Sequence, residues 1–186
     1  MISDIEASVL GLVCEGKRYG YEVEKLIKER RMRNWAEIAF SSIYYVLKKL
    51  EKKGLITSSI EEAKGRPSRR FYRVTEEGKK SMNEKIMHVL SNYQKLISPF
   101  DLGIGYMGLL KTEEALECLN LYLKSIDDEI SSCERRLEHV DQSNWPYYIA
   151  AICTRPIAKL KAEKYWLKDF IDEVRECARK NLGGEV

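Results

Sequence analysis

Residues that carry metal or redox chemistry are scarce and scattered in this sequence. It has only two histidines, His88 and His139, and neither lies within four residues of a cysteine or of the other histidine. This spacing gives no support to a zinc site. The five cysteines are odd in number, widely spaced and without a Cys-x-x-Cys pair. They are expected to be reduced thiols, most of them small core residues, and no metal or other cofactor is predicted.

Long apolar runs and catalytic motifs are absent as well. No 18 consecutive apolar residues occur, so no membrane span is expected. Residues 1–6 lack the basic start of a secretory signal, which makes the cytoplasm the expected location. There is no His-Glu-x-x-His motif, no Ser-His-Asp set, no clustered carboxylates and no phosphate-binding loop. An enzyme is therefore not expected.

The charge that is present is unevenly distributed. Residues 1–80 hold 18 Lys and Arg against 12 Asp and Glu, a net charge of +6. The remaining residues hold 14 against 17, a net charge of −3. A basic first half joined to a mildly acidic second half is typical of a nucleic-acid-binding part attached to a separate partner-facing part.

Hydrophobic periodicity predicts three helices in the first half. Apolar residues recur at three- and four-residue steps over residues 2–13, Gly20 interrupts the chain, and a second helix begins at Tyr21. A third helix is predicted over residues 42–53, with an inner apolar stripe and Gly54 as its C-terminal stop.

A β-hairpin is predicted directly after the third helix. Residues 55–60 and 71–74 are rich in β-branched and aromatic side chains and alternate with a period of two. Residues 61–70, which contain glycine and proline, are predicted to be a basic loop between these strands. Three helices followed by a hairpin with a basic tip are the element order of a winged helix-turn-helix.

The outward face of the third helix and the hairpin tip have the side chains that DNA recognition needs. A helix fits the major groove, where hydroxyl, phenol and ammonium groups reach bases and phosphates. Arginines of the hairpin tip suit the flanking backbone or a narrow minor groove. The predicted DNA-binding residues are Tyr21, Ser41, Ser42, Tyr44, Tyr45, Lys48, Lys49, Lys64, Arg66, Ser68, Arg69 and Arg70.

Other interpretations of the same pattern remain open. A lysine-rich helix face is commonly a solvated surface, and either tyrosine of the pair Tyr44 and Tyr45 could fill a core. A winged-helix module that binds proteins instead of DNA is the alternative function. The basic character of the helix face favours DNA.

Six segments over about residues 5–80 form a specific combination of motifs. They are Leu10-Gly11-Leu12, Tyr19-Gly20-Tyr21-Glu22, Ser42-Ile43-Tyr44, the residues 47–56, Gly65-Arg66-Pro67 and the residues 70–78. With these segments the first half resembles the PadR family of transcriptional regulators. Where relatives often have glycine and proline around the first tyrosine of the third helix, this chain has Ser41 and Tyr45.

The resemblance implies a homodimeric repressor that binds double-stranded DNA and dimerises through a C-terminal helical domain. Many relatives release DNA when a small aromatic or drug-like molecule binds. These are expectations for the present chain. The operator sequence, the regulated genes, the effector and the choice between repression and activation do not follow from the sequence.

The predicted fold is mainly α: a winged helix-turn-helix followed by a helical dimerisation domain. A fourth helix over residues 76–98 is expected to complete the DNA-binding domain, residues 1–98, and Pro99 with the next glycines to form a linker. Residues 99–186 form the second domain, in which a long helix begins at Thr112. Its heptad stripe predicts either an intramolecular seam or, preferably, a dimer interface. The proposed dimerisation residues are Leu116, Leu119, Leu123, Ile126, Ile130 and Leu137.

The last predicted helix, residues 146–179, is rich in aromatic side chains. These favour packing within the core or an interface, and they offer a second interpretation as the lining of an effector pocket. The candidate pocket residues are Trp145, Tyr148 and Trp166.

Overall fold

A computed structural model describes residues 1–36, 38, 43–63, 66–95, 97–142 and 146–182. Side chains are not described at positions 34, 62, 63, 66, 67, 141, 142, 181 and 182. The chain divides into two compact units, Met1–Lys95 and Leu96–Val186. Each unit is taken separately below.

Among the described residues, the first unit contains four α-helices and a small sheet. Its helices are α1 (Asp4–Cys14), α2 (Gly20–Glu29), α3 (Ile43–Lys52) and α4 (Glu76–Ser91), with a 3-10 turn at Met32–Asn34. The strands are β1 (Arg18–Tyr19), β2 (Ile56–Ala63) and β3 (Arg66–Val74), arranged antiparallel in the order β1-β3-β2. This is the predicted winged helix-turn-helix, with β1 as an additional edge strand.

Apolar stripes on α1, α2 and α3 form the core of the first unit. Val9, Leu10 and Val13 from α1 meet Val23 and Ile27 from α2, all of them fully buried. The inner face of α3 closes the core, together with Leu55, Ile56 and Tyr72 of the hairpin. Burying these stripes leaves the opposite face of α3 to the solvent, which is what exposes its polar side chains.

The turn from α3 into the hairpin confirms the predicted stop at Gly54. This residue has φ +71°, a left-handed conformation that glycine adopts without a Cβ clash. Its carbonyl accepts a hydrogen bond from the Thr75 hydroxyl at 2.7 Å. The same hydroxyl accepts from the backbone N–H of Gly78 at 3.0 Å and so caps α4.

The prediction of a loop over residues 61–70 is wrong for most of that segment. Glu61 pairs with Arg69 and Ile60 with Arg70, and the ladder continues past an irregularity to Ala63 and Arg66. Both faces of this ribbon carry polar or charged residues. The period-two hydrophobic signal therefore ends at residue 60, although backbone pairing continues.

The described part of the second unit contains three α-helices. They are α5 (Pro99–Tyr106), α6 (Thr112–Gln142) and α7 (Tyr147–Leu182), with a 3-10 turn at Met107–Leu109 after α5. Helices α6 and α7 pack on each other around Leu119, Ile126 and Ile130 of α6 and Leu167 and Ile171 of α7.

Two predicted boundaries near the end of the first unit are wrong. Helix α4 ends at Ser91 and not near residue 98, because the Asn92 side chain donates to the carbonyl of His88 at 2.8 Å and the backbone becomes extended. The predicted linker after Pro99 is instead helix α5. The Ser98 hydroxyl caps it by accepting from the Phe100 N–H at 3.2 Å, and proline fits its first turn.

Candidate nucleic-acid interface

The outer face of α3 presents two tyrosines and a lysine to solvent. Tyr44 and Tyr45 are 64% and 68% exposed, and Lys48 lies one turn further along the same exposed side. These values exclude the interpretation of either tyrosine as core filler. Two adjacent exposed tyrosines on one helix face suit a contact surface, because each combines an apolar ring with a hydroxyl that can hydrogen-bond.

A glycine at the start of α2 seats the ring of Tyr44. A Cβ atom built on Gly20 would lie 2.6 Å from Cε1 of Tyr44, a distance that real contacts do not allow. The absence of a side chain at this position therefore lets the ring lie against the α2 backbone. The side chain of Tyr44 is exposed but not free to take every direction.

An open cleft of about 180 Å³ is lined by residues of β1, α2, α3 and β3. Tyr44 of α3 and Arg69 of β3 both contribute to this lining. The guanidinium carbon of Arg69 is 5.7 Å from the ring centroid of Tyr21, within the range of a cation–π contact. The lining residues are Tyr19, Gly20, Tyr21, Tyr44, Arg69, Arg70 and Tyr72.

Lys49, by contrast, is engaged by a carboxylate beneath α3. Its ammonium nitrogen lies 3.1 Å from Oε1 of Glu6, and that of Lys53 lies 2.7 Å from the same oxygen. Oε2 of Glu6 accepts from the Ser3 N–H at 2.8 Å in the capping box of α1. Burial alone would raise the pKa of Glu6, but the hydrogen bonds from Lys53, Ser3 and Lys49 lower it to about 2.

Arg70 also has an acidic neighbour. Its guanidinium lies 3.9 Å from Glu51 of α3, whose other oxygen accepts from the Ser58 hydroxyl at 2.5 Å. The Arg70 side chain remains 55% exposed. Ser68, two residues earlier in β3, is also exposed.

A cluster that joins β1 to the hairpin was not identified from the sequence. Glu61 of β2 accepts hydrogen bonds from Lys17, at 2.8 Å, and from the hydroxyl of Tyr19 in β1. These two hydrogen bonds, with that from Lys17 the stronger influence, lower the pKa of Glu61. The ammonium of Lys17 also lies 3.9 Å from the ring centroid of Phe71. The pairing of β1 with β3 brings these groups together, and a two-residue strand has no periodicity from which to predict it.

The heptad stripe of α6 is buried inside its own protomer. Leu119, Ile126 and Ile130 are at most 7% exposed, and Leu116 and Leu123 pack against the same cluster. Leu137 is half-buried. The argument that this stripe needs a second subunit is therefore wrong, because α7 already covers it. The intramolecular alternative is the one observed.

Two of the three candidate effector-pocket residues are described, and they lie far apart on one helix. Trp145 lies outside the described residues. Tyr148 and Trp166 are 18 residues apart on α7, roughly 27 Å along a helix, which is longer than a small aromatic ligand. Trp166 instead stacks on Phe170 at 5.1 Å and meets Phe100 edge-on at 6.4 Å between ring centroids.

Several predicted DNA-binding residues cannot be placed. Ser41, Ser42 and Lys64 lie outside the described residues, and Arg66 is described only by its place at the start of β3. In the parts of the chain that are described, no three His, Cys, Asp or Glu side chains form a group able to hold a metal ion. Across those same ranges, no helix is long and apolar enough to cross a membrane.

Comparison with known proteins identifies the family. The model of the "Transcriptional regulator PadR-like family" matches residues 9–84, which span α1 through the hairpin into α4. An uncharacterized protein of Lysinibacillus sphaericus is 32% identical over 82 residues, covering 44% of this chain and 74% of that protein. This chain belongs to the PadR-like family of transcriptional regulators. The family is not one of enzymes, which confirms the expectation from the sequence.

The fold of the whole chain is similar to that of PadR from Bacillus subtilis. The negative transcriptional regulator PadR of strain 168 is 21% identical over 174 residues, covering 90% of this chain and 95% of that protein. Its structure with operator DNA aligns with a TM-score of 0.73, covering 91% of this chain and 98% of the other. Its structure with p-coumaric acid aligns with a TM-score of 0.75, covering 93% and 99%. The fold of this PadR-like chain is thus the long form, with a helical C-terminal region.

Proposed function

We propose that this PadR-like regulator binds double-stranded DNA sequence-specifically through the outer face of α3 and the hairpin, and represses transcription. The observation that carries the proposal is the exposure of Tyr44, Tyr45 and Lys48 on a single helix face, with Arg69 lining the same open cleft as Tyr44. A recognition helix in the major groove would use the phenols on base edges and phosphates, while Arg69 would contact the flanking backbone.

The relatives support both DNA as the proposed ligand and repression as the proposed direction of regulation. PadR of Bacillus subtilis is described as a negative transcriptional regulator and has been crystallised with operator DNA. The proposed site of action is the cytoplasm, where a bacterial chromosome lies. A protein-interaction module is less consistent with the face formed by Tyr44, Tyr45 and Lys48, since protein interfaces are depleted in lysine.

The active form is proposed to be a homodimer on a palindromic operator. A two-fold dimer presents two recognition helices about 34 Å apart, one turn of B-DNA. Because α7 covers the centre of the α6 stripe, the interface is proposed to use side chains that remain exposed on the second unit. Leu121, at 60% exposure, and Tyr165, at 73%, are apolar candidates on α6 and α7.

A small aromatic effector is proposed to bind the second unit. PadR of Bacillus subtilis has been crystallised with p-coumaric acid, and this chain has an aromatic cluster where α5 meets α6 and α7. Phe100 stacks on Tyr122 with ring centroids 4.0 Å apart, and Trp166 stands edge-on to Phe100. A ligand would release DNA only by binding the DNA-incompetent state more tightly.

The test of the DNA proposal is selection of bound fragments from random-sequence duplex DNA, followed by titration of the recovered duplex. Tyr44→Ala is expected to weaken binding to that duplex by about 1–3 kcal/mol while random DNA is affected less. If selection recovers no consensus and binding to all duplexes is equally weak, the protein-interaction module becomes the better description. Adding planar aromatic acids to the complex tests release.

A further inference from the structure

We propose that Glu61, Lys17 and Tyr19 form a strut that holds the hairpin in the orientation that presents Arg69 to DNA. This inference rests on the proposed DNA binding and deepens it by naming positioning residues that do not themselves contact the nucleic acid. None of the three was among the residues expected to bind DNA.

The strut acts where regular strand pairing is about to end. Glu61 pairs with Arg69 across β2 and β3, and the register shifts between Glu61 and Ala63. An irregularity of this kind increases local twist and bends the ribbon. A two-stranded ribbon beyond that point has little of its own to fix its direction, since isolated hairpins are marginally stable in water. The strut at Glu61 therefore controls the direction of the rest of the hairpin.

The strut connects the hairpin to the edge strand β1. Tyr19 and Lys17 both donate to Oε2 of Glu61, so one carboxylate oxygen joins β2 to β1 and to the residue before it. The β1 strand is itself paired with β3 through Tyr19 and Phe71. Lys17 lies 3.9 Å above the Phe71 ring and closes the cluster from outside.

A line of aromatic rings connects this strut to Arg69. Tyr19 stacks on Tyr21 with centroids 5.8 Å apart and planes inclined by 18°. Arg69 lies over Tyr21 at 5.7 Å, on the strand opposite Glu61. When Glu61 holds the Tyr19 hydroxyl, it also holds the Tyr19 ring. Because Tyr21 stacks on that ring and Arg69 lies over Tyr21, the position of Arg69 depends on this hydrogen bond. The guanidinium remains exposed and keeps its donors for a phosphate.

Glu61→Gln distinguishes the positioning role proposed for Glu61 from the direct effect of its negative charge on DNA binding. Removing a carboxylate from a DNA-facing surface should strengthen binding, because a repulsive charge is lost. The strut predicts the opposite: roughly three- to tenfold weaker binding to the selected duplex. Glu84→Gln, at an exposed position of α4, has the same charge change and is the matched control. It should leave affinity within about twofold of the parent protein.

Tyr19→Phe tests the same strut without changing the charge. It retains the ring and removes the hydroxyl that donates to Glu61, and should weaken binding by a similar factor. Because the strut acts through Arg69, the loss caused by Glu61→Gln should largely disappear in an Arg69→Ala background. Full additivity of the two changes, or tighter binding by Glu61→Gln alone, would overturn the proposal.

Amide hydrogen exchange of the DNA-free protein gives a readout that does not depend on DNA. Glu61→Gln and Tyr19→Phe should speed exchange in residues 60–70, with exchange in α1 unchanged. If wild-type protein binds no duplex, the proposed function fails, and the exchange result still decides whether the strut exists. Faster exchange in residues 60–70 with unchanged DNA affinity would mean that the strut does not serve DNA binding, and unchanged exchange would mean that there is no strut.

Discussion

Replacing Glu6 with glutamine is expected to lower the free energy of unfolding of the first unit by about 2–3 kcal/mol at pH 7. Glu6 is 2% exposed and receives Lys49, Lys53 and the Ser3 N–H. Glutamine keeps the volume and an acceptor oxygen, so the loss comes from the missing charge and not from a cavity.

The magnitude follows from the pKa of Glu6. Lowering it from 4.5 to about 2 corresponds to about 3 kcal/mol of preference for the ionised form in the folded state. The two lysine side chains are 45% and 39% exposed, so solvent screens part of this interaction. Glutamine recovers a weak hydrogen bond, which reduces the net loss further.

The pH dependence gives the stricter test. A carboxylate with a lower pKa in the folded state stabilises the protein above its unfolded pKa, near 4.5, and loses this contribution as the pH falls toward 2. The difference between wild type and Glu6→Gln should therefore be constant from pH 7 to about pH 5 and then decrease steadily. Urea unfolding followed by circular dichroism at each pH measures it.

Glu15→Gln is the matched control for this measurement. Glu15 accepts two hydrogen bonds from Arg30, at 2.6 and 2.8 Å, but its side chain is 42% exposed, so its loss should cost about 1 kcal/mol, less than that of Glu6. Equal destabilisation by both substitutions, or a Glu6→Gln difference that does not change between pH 6 and pH 3, would refute the role assigned to the buried carboxylate.

Three further predictions concern surfaces and packing. Lys48→Ala is expected to weaken DNA binding without affecting stability, and to reduce by about 1 the slope of log affinity against log salt concentration. Lys49→Ala should mainly lower the urea midpoint of unfolding. DNA titrations at several salt concentrations and urea unfolding curves distinguish the two effects. Gly20→Ala should displace the tyrosine ring seated against it and weaken binding to the selected duplex, measured beside an unchanged circular dichroism spectrum. Ile130→Glu should unfold the α6–α7 hairpin at a cost of several kcal/mol, while Leu121→Glu should shift sedimentation toward the monomer with helicity retained.

The helical part of the fold could be predicted because its apolar stripes are long and regular. The stop at Gly54 and the cap at Thr75 follow from local chemistry and are confirmed. The two missed elements differ in cause. The strand β1 is held by its pairing with β3, which is distant in sequence, whereas α5 has a local cap at Ser98 and was missed because glycines follow Pro99. A heptad pattern likewise says that a stripe is buried but not which helix covers it.

The basic residues of the first unit differ in how readily they can serve DNA, and the sequence alone ranks them equally. Lys49 can reach a phosphate only by leaving Glu6, which would then be a buried carboxylate with one cation fewer. That cost offsets the gain from the new contact. Arg70 is held more loosely, 3.9 Å from Glu51 with over half of its side chain in solvent, and can exchange one partner for another at little cost. Lys48 is exposed on the same helix face as the two tyrosines, and it has no ion pair with Glu6 to break before it contacts a phosphate. The net charge of +6 therefore overstates the charge available to DNA, and the order of contribution should be Lys48, then Arg70, then Lys49.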